Sequence, residues 1–246
     1  MFTNVDFVQG LAEQLKANKE LSRQPIVQCF IEDAMSSSDV IRLHNTKAHI
    51  NEGRDNHIFS LFDVSYFPSL SLDFLTYQPL RVIDEGFMDK FRGKTYPVTI
   101  DHMSEGFRDR VVVALFPENH VDNSQRDEDA IFYFIDKFIE RHNRITRKML
   151  THIVADGAMS LVRSATQDEV AQASSYWVWF HEHFHHKGDM PIPAYLPLKA
   201  NNKALAGLEE LRVDISGLLT CFGDCGLSAR TAELTYEFIL SERLLR

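Results

Sequence analysis

Segment 166–188 constrains the fold of this chain most, because it carries every signal of a capped helix. Thr166 and Glu169 have the spacing of a capping box, in which each side chain hydrogen-bonds the other residue's backbone N–H. Gly188 lies where a residue of left-handed conformation often ends a helix. The sequence therefore predicts a helix over about residues 167–187. Apolar residues recur along it with helical periodicity, at Val170, Ala173, Trp177, Phe180 and Phe184.

The last turns of this predicted helix carry a metal-binding pattern. His181, Glu182 and His185 spell H-E-x-x-H. Positions i and i+4 lie on one helix face about 6 Å apart, so His181 and His185 can direct ring nitrogens at one ion. Glu182 lies beside that face and can reach a water held by the ion. In metallohydrolases with this spacing, the two histidines bind Zn²⁺ and the glutamate is the general base.

A catalytic zinc needs a third protein ligand and one open position. The best candidate is Glu210, which lies on the next predicted helix. Asp214 lies one turn further along the same face, and it can accept the second ring N–H of a ligating histidine and so fix the ring's orientation. Two histidines and one carboxylate favour Zn²⁺ as the cofactor, with Fe²⁺, Mn²⁺ and Co²⁺ as alternatives.

These motifs resemble those of the gluzincin metallopeptidases, in which H-E-x-x-H is followed by E-x-x-x-D on a downstream helix. The segment from Glu209 to Asp214 is similar to the E-E-C-R-A-E/D segment of dipeptidyl peptidase III. The resemblance covers about residues 177–216, and it implies that Glu210 is a zinc ligand and that Asp214 supports a histidine. Dipeptidyl peptidase III has a longer histidine motif and a much larger chain, so the resemblance does not imply its activity. This chain more closely resembles a bacterial family of short gluzincin-like proteins.

Three further residues are candidates around this site. Glu209 can support a ligating histidine beside Asp214, and Arg212 can contact a substrate. Tyr195 can donate a hydrogen bond to a developing oxyanion, although tyrosines in such segments more often only pack. It lies in a connection that contains three prolines and therefore cannot continue a helix. Because this connection joins the two metal helices, we expect it to line the cleft.

The first half of the chain predicts helices and a small sheet. Apolar residues at helical spacing predict an N-terminal helix within residues 3–20, whereas 25–35 fits either a strand or a second helix. Strands are expected at Tyr96–Ile100 and Arg110–Phe116, the second of them central because its apolar run is continuous. The polar stretch 119–129 is the best candidate boundary between lobes.

The second half predicts mainly helices. Ala130–Leu150 is expected to form one long helix whose basic side is either a solvated face or a surface that steers anionic substrates. Asn201 or Asn202 can cap the helix of Glu210, and Ser228 can cap a final helix. The predicted fold class is therefore α+β. It comprises an N-terminal α/β lobe, 1–125, with a small mixed sheet, and a helical metal-binding lobe, 126–246, with a zincin-like site on two helices, unless both form one continuous domain.

Composition excludes several classes of protein. A net charge of -9 without a basic tail argues against a nucleic-acid binder. The longest apolar run, Val111–Phe116, is too short to span a bilayer, and the N-terminus lacks signal-peptide features, so no membrane partner is expected. Three cysteines form no even framework, which favours a reducing cytoplasm. Cys221 and Cys225 are expected to be buried or turn thiols.

The leading functional hypothesis is a zinc-dependent hydrolase that acts on a peptide or amide bond, as the resemblance implies. A metal-dependent lyase, isomerase or biosynthetic enzyme that acts on a small metabolite is the alternative, because a metal beside a base serves all of these reactions. A third hypothesis is a non-catalytic metal-binding module. The expected partner is therefore a peptide or small-molecule substrate, and the sequence predicts no oligomeric state.

Overall fold

The fold was analysed in a computed structural model. It describes residues 5–19, 21–36, 39–42, 44–46, 57–62, 71–80, 84–103, 114–115, 131–188, 202–223 and 225–244. The chain divides into two compact units, Met1–Pro79 with Ile100–Ala130, and Leu80–Thr99 with Ile131–Arg246. Helices and strands occur together and the C-terminal half is mainly helical, so the predicted α+β class is confirmed.

The first unit contains a helix pair and a strand pair. Helices α1, Val5–Ala17, and α2, Pro25–Met35, pack against each other, so the segment that fitted either a strand or a helix is a helix. A proline at the first helical position of α2 is tolerated because the N–H that it lacks would have no partner within the helix. Strands β1, His57–Phe62, and β2, Ser71–Pro79, pair antiparallel. The buried apolar residues of the helix pair are Val8, Ala12, Leu15, Val27, Phe30 and Ala34.

Three further strands make the β-structure mixed. The predicted strand at 96–100 is confirmed within β3, Thr95–Met103, which begins in the second unit and continues into the first. The first four residues of β3 pair in parallel with β5, Ile131–Phe134, in the register Thr95 to Ile131. Of the strand predicted at 110–116, only β4, Ala114–Leu115, lies among the described residues.

The prediction of one helix over Ala130–Leu150 was wrong. Residues 131–134 form β5, in which all four side chains are buried. A run that is buried on both sheet faces has no helical or strand periodicity, and its aromatic and β-branched residues favour a strand. The helical part comprises α3, Ile135–Arg141, a π-helical turn, His142–Thr146, and α4, Arg147–Ile153.

Four more helices follow, which are α5, Ser160–Ser164, α6, Gln167–His185, α7, Lys203–Cys221, and α8, Ala229–Leu244. Helix α6 is the predicted histidine helix, and it packs against α3, α7 and α8. Its capping box is confirmed: Thr166 N donates to Glu169 Oε2 at 2.9 Å, and Glu169 N donates to Thr166 Oγ1 at 3.2 Å. Gly188 has a φ of 92°, as expected of a residue beyond a helix C-terminus.

An aromatic cluster fixes the C-terminal half of α6. Phe87 stacks on Trp179 with ring centroids 5.2 Å apart, and Phe91 meets Phe180 edge to face at 5.0 Å. Trp179 Nε1 also donates to the Thr95 carbonyl of β3 at 2.9 Å. Helix α6 is thereby tied to the strand that pairs with β5. Among the described residues, no helix has both the length and the apolar character needed to cross a membrane.

Candidate metal centre

The histidine motif lies where α6 and α7 pack against each other. His181 and His185 are both buried, and their Nε2 atoms are 2.9 Å apart. Glu210 approaches them from α7: its Oε2 lies 3.4 Å from His181 Nε2, and its Oε1 lies 3.5 Å from His185 Nε2. The glutamate side chain is 44% exposed, so the cluster opens to solvent on this side. The three side chains that the sequence indicates as ligands therefore meet at one point.

The other nitrogen of each ring is held by a carboxylate. His181 Nδ1 lies 2.9 Å from Asp214 Oδ1, and His185 Nδ1 lies 3.2 Å from Glu209 Oε1. An ionised carboxylate can only accept a hydrogen bond, so both rings carry their proton on Nδ1 and expose a lone pair at Nε2. Two lone pairs at 2.9 Å beside the Glu210 carboxylate repel each other. The arrangement therefore requires a cation, either a proton or a metal ion, among them.

The two supporting carboxylates are neutralised by arginines. Arg243 Nε contacts Asp214, and Arg212 donates to Glu209 from Nε at 2.9 Å and from Nη2 at 2.8 Å. These four charges cancel. Arg243 Nη2 also lies 3.6 Å from Glu210 Oε2, so this carboxylate has a nearby positive charge as well. Trp177 Nε1 adds a further hydrogen bond to Asp214 at 2.8 Å.

The pKa values around the cluster reflect the same attraction for a cation. Burial lowers the pKa of His181, but hydrogen bonds to Asp214 and Glu210 outweigh it and raise the pKa to about 9. Burial raises the pKa of Glu210, but hydrogen bonds from His181 and His185 hold it well below its usual range. Both shifts indicate that a positive charge is favoured among these groups.

Glu182 lies beside the cluster and is buried. One of its oxygens and the ring nitrogens of His181 and His185 all lie within 4.8 Å of one another, so Glu182 is also near enough to be a ligand. Each oxygen of Glu210, by contrast, approaches one Nε2 atom. Glu182 Oε1 instead accepts a hydrogen bond from the Tyr133 hydroxyl. Glu182 therefore lies beside the point where the two histidines and Glu210 meet.

Two further residues, Tyr195 and Arg212, were expected to contribute to the site. Tyr195 lies outside the described residues. Arg212 connects α7 to α6, because its Nη2 donates to the Phe184 carbonyl of α6 at 2.7 Å as well as to Glu209 of α7. Its contact with a substrate remains a prediction.

Sequence reasoning missed three residues of this site. Tyr133 was not identified, because its strand was predicted to be part of a helix. Trp177 belongs to the motif stretch but was assigned only to the core. Arg243 lies near the end of α8, and no spacing connects it to the histidines.

The thiols of Cys221 and Cys225 are buried and free, as expected, and burial raises the pKa of Cys221 to about 12. Comparison with protein-family models, with curated proteins and with solved structures found no match to this chain. The functional argument therefore rests on the residues of the site and their geometry.

Proposed function

We propose that this protein is a zinc-dependent hydrolase with His181, His185 and Glu210 as the metal ligands. The observation that carries the proposal is the convergence of the two Nε2 atoms and the two carboxylate oxygens of Glu210, with both Nδ1 atoms committed to carboxylates. Zinc bonds of about 2.0–2.2 Å at tetrahedral angles separate ligand atoms by about 3.3–3.6 Å. The two Nε2 atoms are 2.9 Å apart, and each lies 3.4 or 3.5 Å from a different oxygen of Glu210, so these distances are near that range. Fe²⁺, Mn²⁺ and Co²⁺ also suit this ligand set.

Glu182 is the general base in this proposal. When bound, zinc lowers the pKa of its water and polarises the substrate carbonyl. Glu182 takes the proton from the attacking water and delivers it to the leaving group. Asp214 and Glu209 keep the two imidazoles in the tautomer that exposes Nε2. Each of these two carboxylates is also paired with an arginine, Asp214 with Arg243 and Glu209 with Arg212.

The proposed substrate contains a peptide or amide bond. This choice rests on the resemblance of segment 177–216 to gluzincins, and the rival substrate is a small carbonyl metabolite. Three cysteines, which form no even framework, and the net charge of -9 support a cytoplasmic enzyme that does not act on nucleic acid.

The role of Glu182 is tested with Glu182→Gln, which keeps the shape of the side chain and removes its basicity. Zinc-loaded parent and variant are screened on a quenched-fluorescent peptide library, on simple amides and on small carbonyl compounds. We expect the variant to keep its zinc and to lose at least about 100-fold in turnover. The matched control is Glu140→Gln, on an exposed glutamate of α3, which retains activity.

Full turnover by Glu182→Gln would refute the assigned base. Turnover of carbonyl compounds alone would replace the hydrolase with a metal-dependent enzyme of small-molecule metabolism. Zinc binding without turnover of any of these compounds would favour a non-catalytic metal-binding module.

A further inference from the structure

The hydrogen bond between Tyr133 and Glu182 assigns a role to a residue outside the metal motif. We propose that Tyr133 is a positioning residue: its phenol holds Oε1 of Glu182 and leaves Oε2 to contact a molecule at the open metal position. This inference rests on the proposed function. In the part of the chain that the structure describes, Tyr133 forms the only hydrogen bond to the Glu182 side chain. Its loss would therefore free the carboxylate to rotate.

Both partners are shielded from water. Tyr133 is 8% exposed and Glu182 is 7% exposed, so water competes poorly for the hydrogen bond between them. A buried carboxylate without a donor is costly, and the phenol meets this need. A side chain that only filled space at this position would not require a hydroxyl.

The two elements that carry these residues are tied together independently of the hydrogen bond. Tyr133 lies on β5 opposite Pro97 of β3, and β3 in turn accepts the Trp179 indole N–H at the Thr95 carbonyl. Trp179 and Glu182 lie on the same helix, α6. The strand therefore holds the phenol at a fixed place beside the glutamate.

The chemistry of the partner distinguishes Glu182 from the other carboxylates. Both oxygens of Asp214 and of Glu209 have partners: a histidine ring contacts one oxygen and an arginine contacts the other. A phenol donates one hydrogen bond and carries no net charge. Tyr133 can therefore orient Glu182 through one oxygen and leave the other oxygen available to a molecule at the proposed metal position.

The test uses the intact zinc-loaded protein and acetohydroxamate, a zinc-binding acid whose proton must pass to a nearby base when it binds as the anion. We expect Tyr133→Phe to keep its zinc and its melting temperature and to bind acetohydroxamate about 10-fold more weakly, since a correctly oriented Glu182 takes up that proton. Glu182→Gln is expected to weaken binding at least as much. In the double variant, loss of the phenol should have no additional effect, because two residues that act as one unit are not additive.

The matched control is Tyr176→Phe, which also removes a buried hydroxyl but lies among Phe87 and Trp179. It should leave acetohydroxamate affinity unchanged. Parental affinity in Tyr133→Phe would overturn the proposal. The proposal would also be overturned if Tyr133→Phe weakened acetohydroxamate binding equally in the parent and in Glu182→Gln, because the phenol would then not act through Glu182. Loss of zinc from Tyr133→Phe alone would overturn it as well, because the phenol would then support the metal site itself. A parent protein that binds no zinc would instead refute the proposed function, and this inference with it.

Discussion

At the scale of single residues, the two histidines are held with different strength. Asp214 accepts hydrogen bonds from His181 and Trp177 and contacts Arg243, and it is 2% exposed. Glu209 holds His185 through a longer contact of 3.2 Å. Supporting carboxylates of this kind fix the tautomer and the orientation of a ligating ring. We therefore expect Asp214 to contribute more to metal affinity than Glu209.

The variant Asp214→Asn tests this expectation. It removes the charge that polarises the His181 ring, and we expect zinc affinity to fall by about 10–100-fold. Glu209→Gln is the matched change on the other histidine and should have a smaller effect. The zinc affinity of each variant and of the parent is measured by competition with a fluorescent zinc chelator at one pH. Unchanged affinity in both variants would show that these carboxylates do not support metal ligands.

At the scale of elements, local chemistry was sufficient to predict the helices that carry the site. Their caps are short-range features: Thr166 caps α6, and Asn202 Oδ1 accepts the backbone N–H groups of Ala204 and Leu205 at 3.1 and 3.2 Å at the start of α7. Ser228 Oγ accepts the backbone N–H of Thr231 at 3.3 Å just before α8. Strand β5 could not be predicted in this way, because its pairing with β3 joins distant parts of the chain.

The π-helical turn between α3 and α4 buries a histidine. His142 is fully buried and packs against Phe238 with ring centroids 6.1 Å apart. Burial, and then the positive charge of Arg147, lower its pKa to about 4, although a backbone hydrogen bond with Val162 opposes them. The unfolded chain, in which His142 has its ordinary pKa of about 6.5, therefore binds more protons than the folded one between these values.

Acid should consequently destabilise the protein through His142. The contribution of His142 to the free energy of unfolding is constant above about pH 6.5. About 3 kcal/mol of this free energy is lost as the pH falls toward 4. Urea unfolding at several pH values should show a flatter pH dependence for His142→Gln than for the parent. His152→Gln, on an exposed histidine of α4, is the control and should follow the parent. Identical pH dependence in His142→Gln and the parent would refute this account.

At the scale of the whole molecule, the described residues of the proposed site lie in one unit, Leu80–Thr99 with Ile131–Arg246. The proximity of His181, His185, Glu210 and Asp214 could be predicted from the sequence, because the two histidines are four residues apart on one helix and the two acidic residues are four residues apart on the next. Tyr133 and Arg243 could not, because only the packing of α6 against other elements brings them to the site. Domain limits drawn from composition also could not show that 80–99 belongs with the C-terminal helices, since Phe87 meets Trp179 only through the fold.

The central claim is that these side chains form a metal site, and elemental analysis of the purified, zinc-reconstituted protein tests it most directly. The account predicts about one zinc per chain in the parent and little or none in His185→Ala and Glu210→Ala. His183→Ala is the matched control, because its ring lies on the same helix but packs on Phe91 and should not affect the zinc. A parent without zinc, or full zinc content in both ligand variants, would contradict the account.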